Sequence, residues 1–310
     1  MKKALPLIAV LLVFLIGVGV LVYPLLSAVV NNIAARQGVE DYEVAVEEMD
    51  TSDVDKMIAS AQAYNDSLHR VILTDPFDEA SYGLIGDNYT ESLNVDGNGL
   101  IGYVDIPKID VYLPVYHGTS IDVLSRAAGH LEHTSLPIGG PSTHCVISAH
   151  SAFPTQTFFD YLEDMEVGDV FYLHVLNMVL KYEVDEINVV LPEDTKDLYI
   201  VDGEDLVTLL TCTPYSVNTH RLLVRGKRVP YTPDDANMTD KLKFDDGCLY
   251  ILGYRVPYLT AALVTLVFLL FVGFVVFLLV RMRRKKRRVK LNESAENGDN
   301  EPDADREEVT

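Results

Sequence analysis

LVTLLTCTPYSVNTHRLLVRGKR, residues 206–228, contains two short apolar segments on either side of a polar turn. The first segment is rich in β-branched residues and ends at Thr211 and Cys212; the second begins near Thr219 and includes Arg221. This pattern is typical of two β-strands joined by a turn. Such a hairpin would place a thiol and a guanidinium side by side at one edge of a sheet.

A thiol beside a guanidinium indicates nucleophilic chemistry. The thiolate is the reactive form of cysteine, and a fixed positive charge nearby favours it. Arginine also offers a rigid set of donors that suits an oxyanion or a substrate carbonyl. Spacing alone leaves two interpretations of Cys212 and Arg221 open, a catalytic pair and an ordinary structural pair.

The hairpin sequence resembles the TLxTCTPYxxNTHRLLVRGxR motif of class C sortases, the pilin-polymerising cysteine transpeptidases of Gram-positive surfaces. The resemblance continues upstream and covers roughly residues 100–230. Three further segments carry it: IGYVDIPKIDVYLPVYHGTS (101–120), GHLEHTSLPIGGPSTHCVISAH (129–150) and FFDYLEDMEVGDVFYL (158–173).

A mainly β fold is indicated by the short strand patterns that follow one another from Gly99 onward, broken by Gly, Pro, Asn and Asp. Many short strands with little helix favour a closed β-barrel, and the resemblance implies the eight-stranded sortase-type barrel. We also predict a short helix at Thr155–Met165 and a hairpin turn at Asn177-Met178. The predicted strands are Ile101–Ile106, Val111–Tyr116, His144–Ala149, Val170–Leu176, Val179–Val190, Leu206–Cys212 and Arg221–Val229.

Residues 31–68, ahead of the barrel, are predicted to be helical. Ser52 and Asp55 resemble a capping box that starts a helix. Apolar residues then recur at helical spacing, and we expect this stripe to pack on the barrel. The stripe consists of Val54, Met57, Ile58, Ala61, Tyr64 and Leu68.

The resemblance implies a catalytic set of Cys212 as nucleophile, His150 as proton donor and acceptor, and Arg221 as the group that steadies the oxyanion. Thr211 is a secondary expectation in the substrate pocket. The family often has Gly-His-Arg around the histidine, whereas this chain has Ala149-His150-Ser151, which removes a positive charge beside the imidazole.

The other histidines are less favoured as catalytic groups. Strand alternation turns His220 to the face opposite Arg221, and His144 lies deeper in the His150 strand. His130 and His133 are expected in loops or at the surface. His69, His117 and His174 have no partner that spacing supplies.

Asp75-Pro76-Phe77 is predicted to lie in a loop, because the residue before a proline is disfavoured in a helix. The tripeptide alone carries no functional information. The resemblance implies that it belongs to a flexible lid over the active site, with Phe77 over the Cys212 sulfur and Asp75 close to Arg221.

Two apolar segments, residues 5–30 and 256–280, are each long enough to cross a bilayer as a helix. RMRRKKRRVK follows the second, and Lys2 and Lys3 precede the first, so we expect both termini in the cytoplasm. A cleaved signal peptide is the alternative for the first segment. The expected organisation is an N-terminal anchor (1–30), an extracytoplasmic helical region with lid (31–98), the catalytic barrel (99–230), a linker (231–255), a transmembrane helix (256–280), and a cytoplasmic basic cluster with disordered tail (281–310).

Charge and cysteine content exclude several classes of protein. The chain carries a formal net charge of −21, and an acidic surface repels the phosphates of nucleic acid. Its three cysteines, Cys145, Cys212 and Cys248, form no disulfide framework, and we expect Cys145 to be a buried strand residue. Because the sequence has no CxxC pair and no HExxH, we predict neither a metal nor a cofactor.

The function implied by the resemblance is cleavage of LPxTG-type sorting signals between Thr and Gly, and joining of pilin subunits to an acceptor lysine through an isopeptide bond. One alternative is a housekeeping sortase that anchors LPxTG proteins to the peptidoglycan precursor. Another is a membrane-tethered β-domain that binds surface proteins without catalysis.

Overall fold

The computed structural model describes residues 5–68, 73–78, 87–153, 156–232, 248–251 and 254–257, with single helical positions between 265 and 284. Its helices are α1 (Leu5–Glu47), α2 (Thr51–Ser67), α3 (Asp87–Glu91) and α4 (Ile121–Leu124). Its strands are β1 (Leu100–Ile106), β2 (Val111–His117), β3 (Ala128–His130), β4 (Thr143–Ser148), β5 (Val170–Val175), β6 (Met178–Val190), β7 (Asp205–Thr213), β8 (His220–Val229), β9 (Cys248–Ile251) and β10 (Tyr254–Pro257).

Strands β1–β8 close into a barrel in the order β1-β2-β3-β4-β7-β8-β6-β5. The pairs β2–β3 and β4–β7 are parallel, and the other neighbouring strands whose registers are described are antiparallel. Closure pairs the edge strands that an open sheet would expose. The predicted mainly β, eight-stranded barrel is therefore confirmed.

The seven predicted strands are all present, and their ends lie within one residue of the predicted positions. The eighth strand, β3, was not predicted, because three residues are too few to show alternation. The turn between β5 and β6 is formed by Leu176 and Asn177, one residue before the predicted Asn177-Met178.

The predicted helix at Thr155–Met165 is wrong. Within its described residues the chain forms only a 3₁₀ turn at Leu162–Asp164. The backbone N–H of Phe158 donates to the Asp160 carboxylate, and that of Phe159 donates to the carbonyl oxygen of His150. These donors are therefore used in tertiary contacts instead of a helical ladder.

The barrel interior is filled by side chains from alternate strand positions, and Phe158, Phe159 and Leu162 from the β4–β5 connection complete it. The apolar stripe of α2 packs outside the barrel, as predicted: Val54 and Ala61 are buried in a second cluster. The predicted capping box at Ser52 and Asp55 is wrong, since the N-cap is Asp50 and its side chain makes no capping hydrogen bond.

Helix α1 runs without a break from Leu5 to Glu47, and its C-terminal part packs on the barrel. Tyr42 is fully buried there; its hydroxyl donates to the carbonyl oxygen of Ile101 at 2.9 Å and accepts from the N–H of Leu176 at 2.8 Å. These two bonds fasten α1 to β1 and to the β5–β6 turn.

Within the part of the chain that the structure describes, no helix combines the length and the apolar character needed to cross a membrane. The chain divides into two compact units, residues 1–245 with 252–254 and residues 246–251 with 255–310. β9 and β10 form a two-stranded sheet, and β10 continues to Pro257, past the boundary that we placed at residue 256. The predicted disordered tail lies outside the described residues.

Candidate active site

The β7–β8 hairpin holds Cys212 directly opposite Arg221 in an antiparallel ladder. Residues paired in this way point their side chains to the same face of the sheet. Cys212 is 7% exposed and Arg221 is 9% exposed. His220 pairs with Thr213, one position further along, so it faces the other side as predicted.

Asp75 of the predicted lid forms a bidentate ion pair with Arg221. Arg221 Nε donates to Asp75 Oδ1 at 2.8 Å, and Nη2 donates to Oδ2 at 2.5 Å. Arg221 Nη1 also donates to the carbonyl oxygens of Asn218 and His220, each at 3.1 Å. The guanidinium is thus held between the lid and the β7–β8 turn.

Phe77 of the same segment lies against the imidazole of His150. The two ring centroids are 5.2 Å apart, and the ring planes are tilted by 34°. Arg221 Cζ lies 5.2 Å from the centroid of the Phe77 ring. Pro76, between Asp75 and Phe77, is buried. The position of Phe77 over the Cys212 sulfur stays a prediction, whereas Asp75 is beside Arg221 as predicted.

Leu73 anchors the N-terminal side of this segment in an apolar cluster over the barrel. It is 6% exposed, and its carbonyl oxygen accepts from Thr195 Oγ1 at 3.3 Å. The cluster also contains Leu131, Val146, Leu198, Leu210 and Leu223. Residues 73–78 are therefore held at two points, by apolar packing at Leu73 and by the ion pair of Asp75.

His150 lies two residues after the end of β4, in the connection to β5. Its ring contacts two aromatic rings, that of Phe77 and that of Phe153, which is stacked on it at 5.3 Å with an interplanar angle of 15°. Its carbonyl oxygen accepts from the N–H of Phe159 at 3.0 Å. The backbone bond thus holds the histidine in place, and the Phe77 ring packs against its imidazole.

Comparison with known proteins supports this arrangement. Residues 104–229 match the sortase domain family. Sortase C-1 of Streptococcus pneumoniae is 48% identical, and the aligned region covers 63% of this chain and 100% of that structure with a TM-score of 0.60. The pilus-related sortase C of Group B Streptococcus is 47% identical over 62% of this chain and 97% of that structure, with a TM-score of 0.58.

The chain belongs to the sortase family.

Curated relatives are more distant. Sortase D of Bacillus subtilis is 29% identical over 131 residues, which is 41% of this chain and 63% of that protein. The match therefore spans less than two thirds of that relative's length. Members of the sortase family are cysteine transpeptidases. In this sortase Cys212 pairs with Arg221, and the Phe77 ring lies near both Arg221 and His150.

The electrostatics of the covered site favour neutral groups. Burial raises the pKa of the Cys212 thiol to about 11; the Arg221 guanidinium opposes that shift, and the Asp75 carboxylate adds to it. Burial also lowers the pKa of the His150 imidazole. In this arrangement of Asp75 and Phe77, this sortase therefore holds a protonated thiol and a neutral imidazole at neutral pH.

Little open space remains beside the thiol. A cleft of about 10 Å³ is lined by Ser151, Asp160, Thr211, Cys212 and Tyr215, among others. This volume is too small for a peptide. Larger cavities, of about 350 Å³ and 520 Å³, border α1 and contain none of the predicted site residues.

Thr211, the secondary candidate, links two strands. Its hydroxyl donates to the carbonyl oxygen of Ala149 at 2.7 Å, and its side chain also lines the cleft beside Cys212. Ser151, where the family often has arginine, forms a second link between the same two segments. Its hydroxyl donates to the carbonyl oxygen of Cys212 at 2.7 Å. Ser151 thus contacts the backbone of Cys212, a contact that the sequence did not indicate.

The other buried histidines have structural partners. The prediction that His130 lies in a loop or at the surface is wrong: it is fully buried in β3, where Nδ1 bonds to the Tyr89 hydroxyl at 2.8 Å. His144 Nδ1 bonds to the carbonyl oxygen of Tyr199 and Nε2 to the Thr208 hydroxyl, both at 2.8 Å. Burial lowers the pKa of His130 to about 3 and that of His144 to about 4.

Sequence reasoning missed Asp160 and Phe153 as well as Ser151. All three lie in the β4–β5 connection, where the only predicted element is the helix at Thr155–Met165; Ser151 stands out in the sequence only as a departure from the family, and no pattern indicates the contacts that these residues make. Cys145 is buried in β4 as predicted, and burial raises the pKa of its thiol. Within the described ranges, no group of three or more His, Cys, Asp or Glu side chains is arranged to hold a metal ion.

Proposed function

We propose that this sortase is a class C enzyme that cleaves LPxTG-type sorting signals between Thr and Gly and joins pilin subunits to an acceptor lysine. The observation that carries the proposal is the placement of Asp75 and Phe77 on Arg221 and His150. A lid that pairs with the catalytic arginine must leave before substrate can bind, so access to the active site is gated. The high identity to pilus-related sortase C structures supports the same class.

The first half-reaction begins when the lid leaves the site. Water and substrate then reach Cys212 and His150, and the thiol transfers its proton to the imidazole, giving a thiolate and an imidazolium. The thiolate sulfur attacks the carbonyl carbon of the Thr residue, and Arg221, released from Asp75, donates hydrogen bonds to the oxyanion. His150 returns its proton to the departing glycine amine, and a thioester to Cys212 remains.

The second half-reaction transfers the acyl group to an amine. The neutral lysine amine of the next pilin attacks the thioester carbon, with His150 now accepting a proton from the nitrogen. The carbon–sulfur bond breaks, an isopeptide bond forms, and the Cys212 thiolate is regenerated. Arg221 stabilises the oxyanion in both halves because the carbonyl occupies the same place.

The location that fits this function is the outer face of the cell membrane. The apolar segments 5–30 and 256–280 would cross the bilayer, with the basic residues at both ends of the chain in the cytoplasm. The barrel would then face the pilins as they emerge. The strongly acidic composition is compatible with lysine-bearing protein partners and disfavours nucleic acid.

The decisive experiment is Cys212→Ala in the native host, read as the ladder of covalently joined subunits on a denaturing gel. We expect the ladder to collapse to monomers that remain attached to the wall. Cys145→Ala is the matched control, because it removes a buried thiol from β4 and leaves the ladder in place. Growth, expression and membrane level of both variants are measured in parallel.

Two other outcomes would contradict the proposal. If the ladder persists in Cys212→Ala while surface proteins leak into the medium, the enzyme anchors proteins to the peptidoglycan precursor instead. If both ladder and anchoring are unchanged, Cys212 is a structural residue and the barrel acts as a binding domain.

A further inference from the structure

The relative position of His150 and Cys212 is not set by the strand ladder alone. The parallel β4–β7 pairing ends at Ser148 and Leu210, and one more backbone bond joins the N–H of Ala149 to Leu210 at 3.1 Å. His150 lies beyond that point, where the chain leaves β4. Other contacts must therefore hold the imidazole at its distance from the thiol.

Ser151 provides the first of these contacts. Its hydroxyl donates to the carbonyl oxygen of Cys212 at 2.7 Å, and the side chain is 8% exposed. Ser151 follows His150 directly, and the accepting oxygen belongs to the nucleophile itself. One short hydrogen bond thus connects the residue after the histidine to the backbone of the cysteine.

Asp160 provides the second contact, through a carboxylate that is 7% exposed. Oδ1 accepts from the N–H of Ala152 at 3.0 Å and from the Tyr215 hydroxyl at 3.3 Å, and Oδ2 accepts from the N–H of Phe158 at 2.8 Å. Ala152 lies in the His150 loop, and Tyr215 lies in the turn after Cys212. One buried carboxylate therefore joins the loops that carry the two reacting groups.

A buried carboxylate is costly unless its hydrogen bonds offset the lost hydration. Asp160 has three such bonds, and it serves neither the barrel interior nor the acid–base steps described above. Its neighbour Phe159 donates to the carbonyl oxygen of His150 at 3.0 Å. The whole segment from Phe158 to Asp160 is thus directed at the backbone around His150.

We propose that Ser151 and Asp160 are positioning residues for transpeptidation, which fix the imidazole of His150 relative to the thiol of Cys212. We call their hydrogen bonds to Cys212, Ala152, Phe158 and Tyr215 the loop clamp. The proposal rests on the proposed function, because positioning matters only if the two groups react with a substrate.

The loop clamp does not depend on the position of the lid. None of its bonds involves residues 73–78, so it remains when the lid leaves. The open enzyme needs such a device, because the ring of Phe77 no longer supports His150 and a misplacement of about 1 Å can cost roughly 100-fold in rate. The loop clamp keeps the catalytic pair organised in the state in which the substrate binds.

The test uses the full chain in detergent, with Asp75→Ala and Phe77→Ala introduced together so that the lid does not limit the rate. The probe is a quenched fluorescent peptide that contains LPETG, with hydroxylamine as acceptor. Ser151→Ala and Asp160→Asn are expected to lower kcat by about 10- to 100-fold, with KM changed by less than about threefold. Ser151→Thr, which retains a hydroxyl, is expected to restore kcat.

Asp169→Asn is the matched control, since Asp169 also lies before β5 and accepts from a backbone N–H, that of Glu166 at 2.6 Å. It pairs with Lys108 and makes no bond in the loop clamp. We expect Asp169→Asn to keep the parental kcat. If Asp160→Asn does not fold, Tyr215→Phe replaces it, because that change removes one hydroxyl from the loop clamp, and a fall in kcat is again expected.

The proposal is overturned if Ser151→Ala and the Asp160 or Tyr215 variant retain the parental kcat, if only KM changes, or if Ser151→Thr fails to restore the rate. These results would leave the proposed function intact, because the parent would still cleave the peptide. A parent enzyme without cleavage that depends on Cys212 would refute the proposed function and this inference together.

Discussion

Asp75 and Arg221, separated by 146 residues in the chain, meet as a bidentate ion pair at the mouth of the barrel. The same guanidinium is the cation opposite Cys212, so it has two competing partners. While Asp75 holds Arg221, the positive charge near the thiol is partly neutralised. Asp75 thus acts on the Cys212 thiol electrostatically, by raising its pKa.

Asp75→Ala should make Cys212 more acidic. The Asp75 carboxylate contributes to raising the thiol pKa to about 11, and without it the unopposed Arg221 charge lowers that pKa. Each unit of decrease raises the thiolate fraction at neutral pH about tenfold. The pH dependence of iodoacetamide alkylation, read by mass spectrometry of the Cys212 peptide, should shift to lower pH.

Asp185→Ala is the control for that experiment. Arg225 pairs with Asp185 in the same bidentate geometry, at 3.0 and 2.8 Å, on the same strand as Arg221. This variant should leave the alkylation profile unchanged. An unshifted profile in Asp75→Ala would show that the ion pair does not govern the thiol.

Phe77→Ala should expose the catalytic pair. Removing the ring that contacts His150 admits water, so the imidazole pKa, lowered by burial, should rise toward its ordinary value, and Cys212 should be alkylated faster at fixed pH. Histidine NMR titration and alkylation rates measure the two effects. Tyr231→Ala removes an exposed aromatic residue elsewhere and should change neither; equal rates in both variants would argue against a gate.

Gly102→Ala should destabilise the barrel. A Cβ atom at this position in β1 would lie 2.2 Å from the carbonyl oxygen of His174, a backbone atom in β5 that cannot move aside alone. We expect a loss of about 1–3 kcal/mol in the free energy of unfolding, seen as a lower Tm. Gly38→Ala in α1 meets no neighbouring atom and should be neutral or stabilising; a Tm equal to that of wild type in Gly102→Ala would contradict the strand pairing.

Acid should destabilise this sortase through its buried histidines. His144 has a folded pKa of about 4, whereas the unfolded chain binds a proton near pH 6.5, so its contribution to stability is complete above about pH 6.5 and declines as the pH falls toward 4. His144→Gln should be less stable at pH 7.5 but lose less Tm between pH 7 and 5. His220→Gln is the control, because it changes a half-exposed histidine, and it should lose as much Tm between pH 7 and 5 as wild type. If wild type, His144→Gln and His220→Gln all lose the same Tm, His144 does not cause the loss of stability in acid.

The strands could be predicted because their side chains alternate or form short apolar runs bounded by turns. The juxtaposition of Cys212 and Arg221 followed from a hairpin with strands of the right length. The resemblance contributed His150 and the Asp75–Arg221 contact, which no local pattern indicates, since these residues are brought together by tertiary structure.

The features that the sequence did not predict depend on contacts with residues that are distant in the chain. β3 is only three residues long and exists because Ala128–His130 fits between β2 and β4. The helix expected at Thr155–Met165 has suitable periodicity, but its N–H groups bond to Asp160 and His150 instead. Ser151 differs from the residue common in the family, and only the structure shows that its hydroxyl reaches the Cys212 backbone.

The unbroken course of α1 makes its N-terminal end and the barrel parts of one rigid connection. Forty-three helical residues span about 65 Å, and the Tyr42 bonds join the far part of that rod to the barrel. A force or a constraint applied at the N-terminal end of α1 is therefore transmitted to the barrel, because no flexible linker lies between them within the described residues of the helix. The orientation of the barrel is therefore set by whatever holds the N-terminal part of α1.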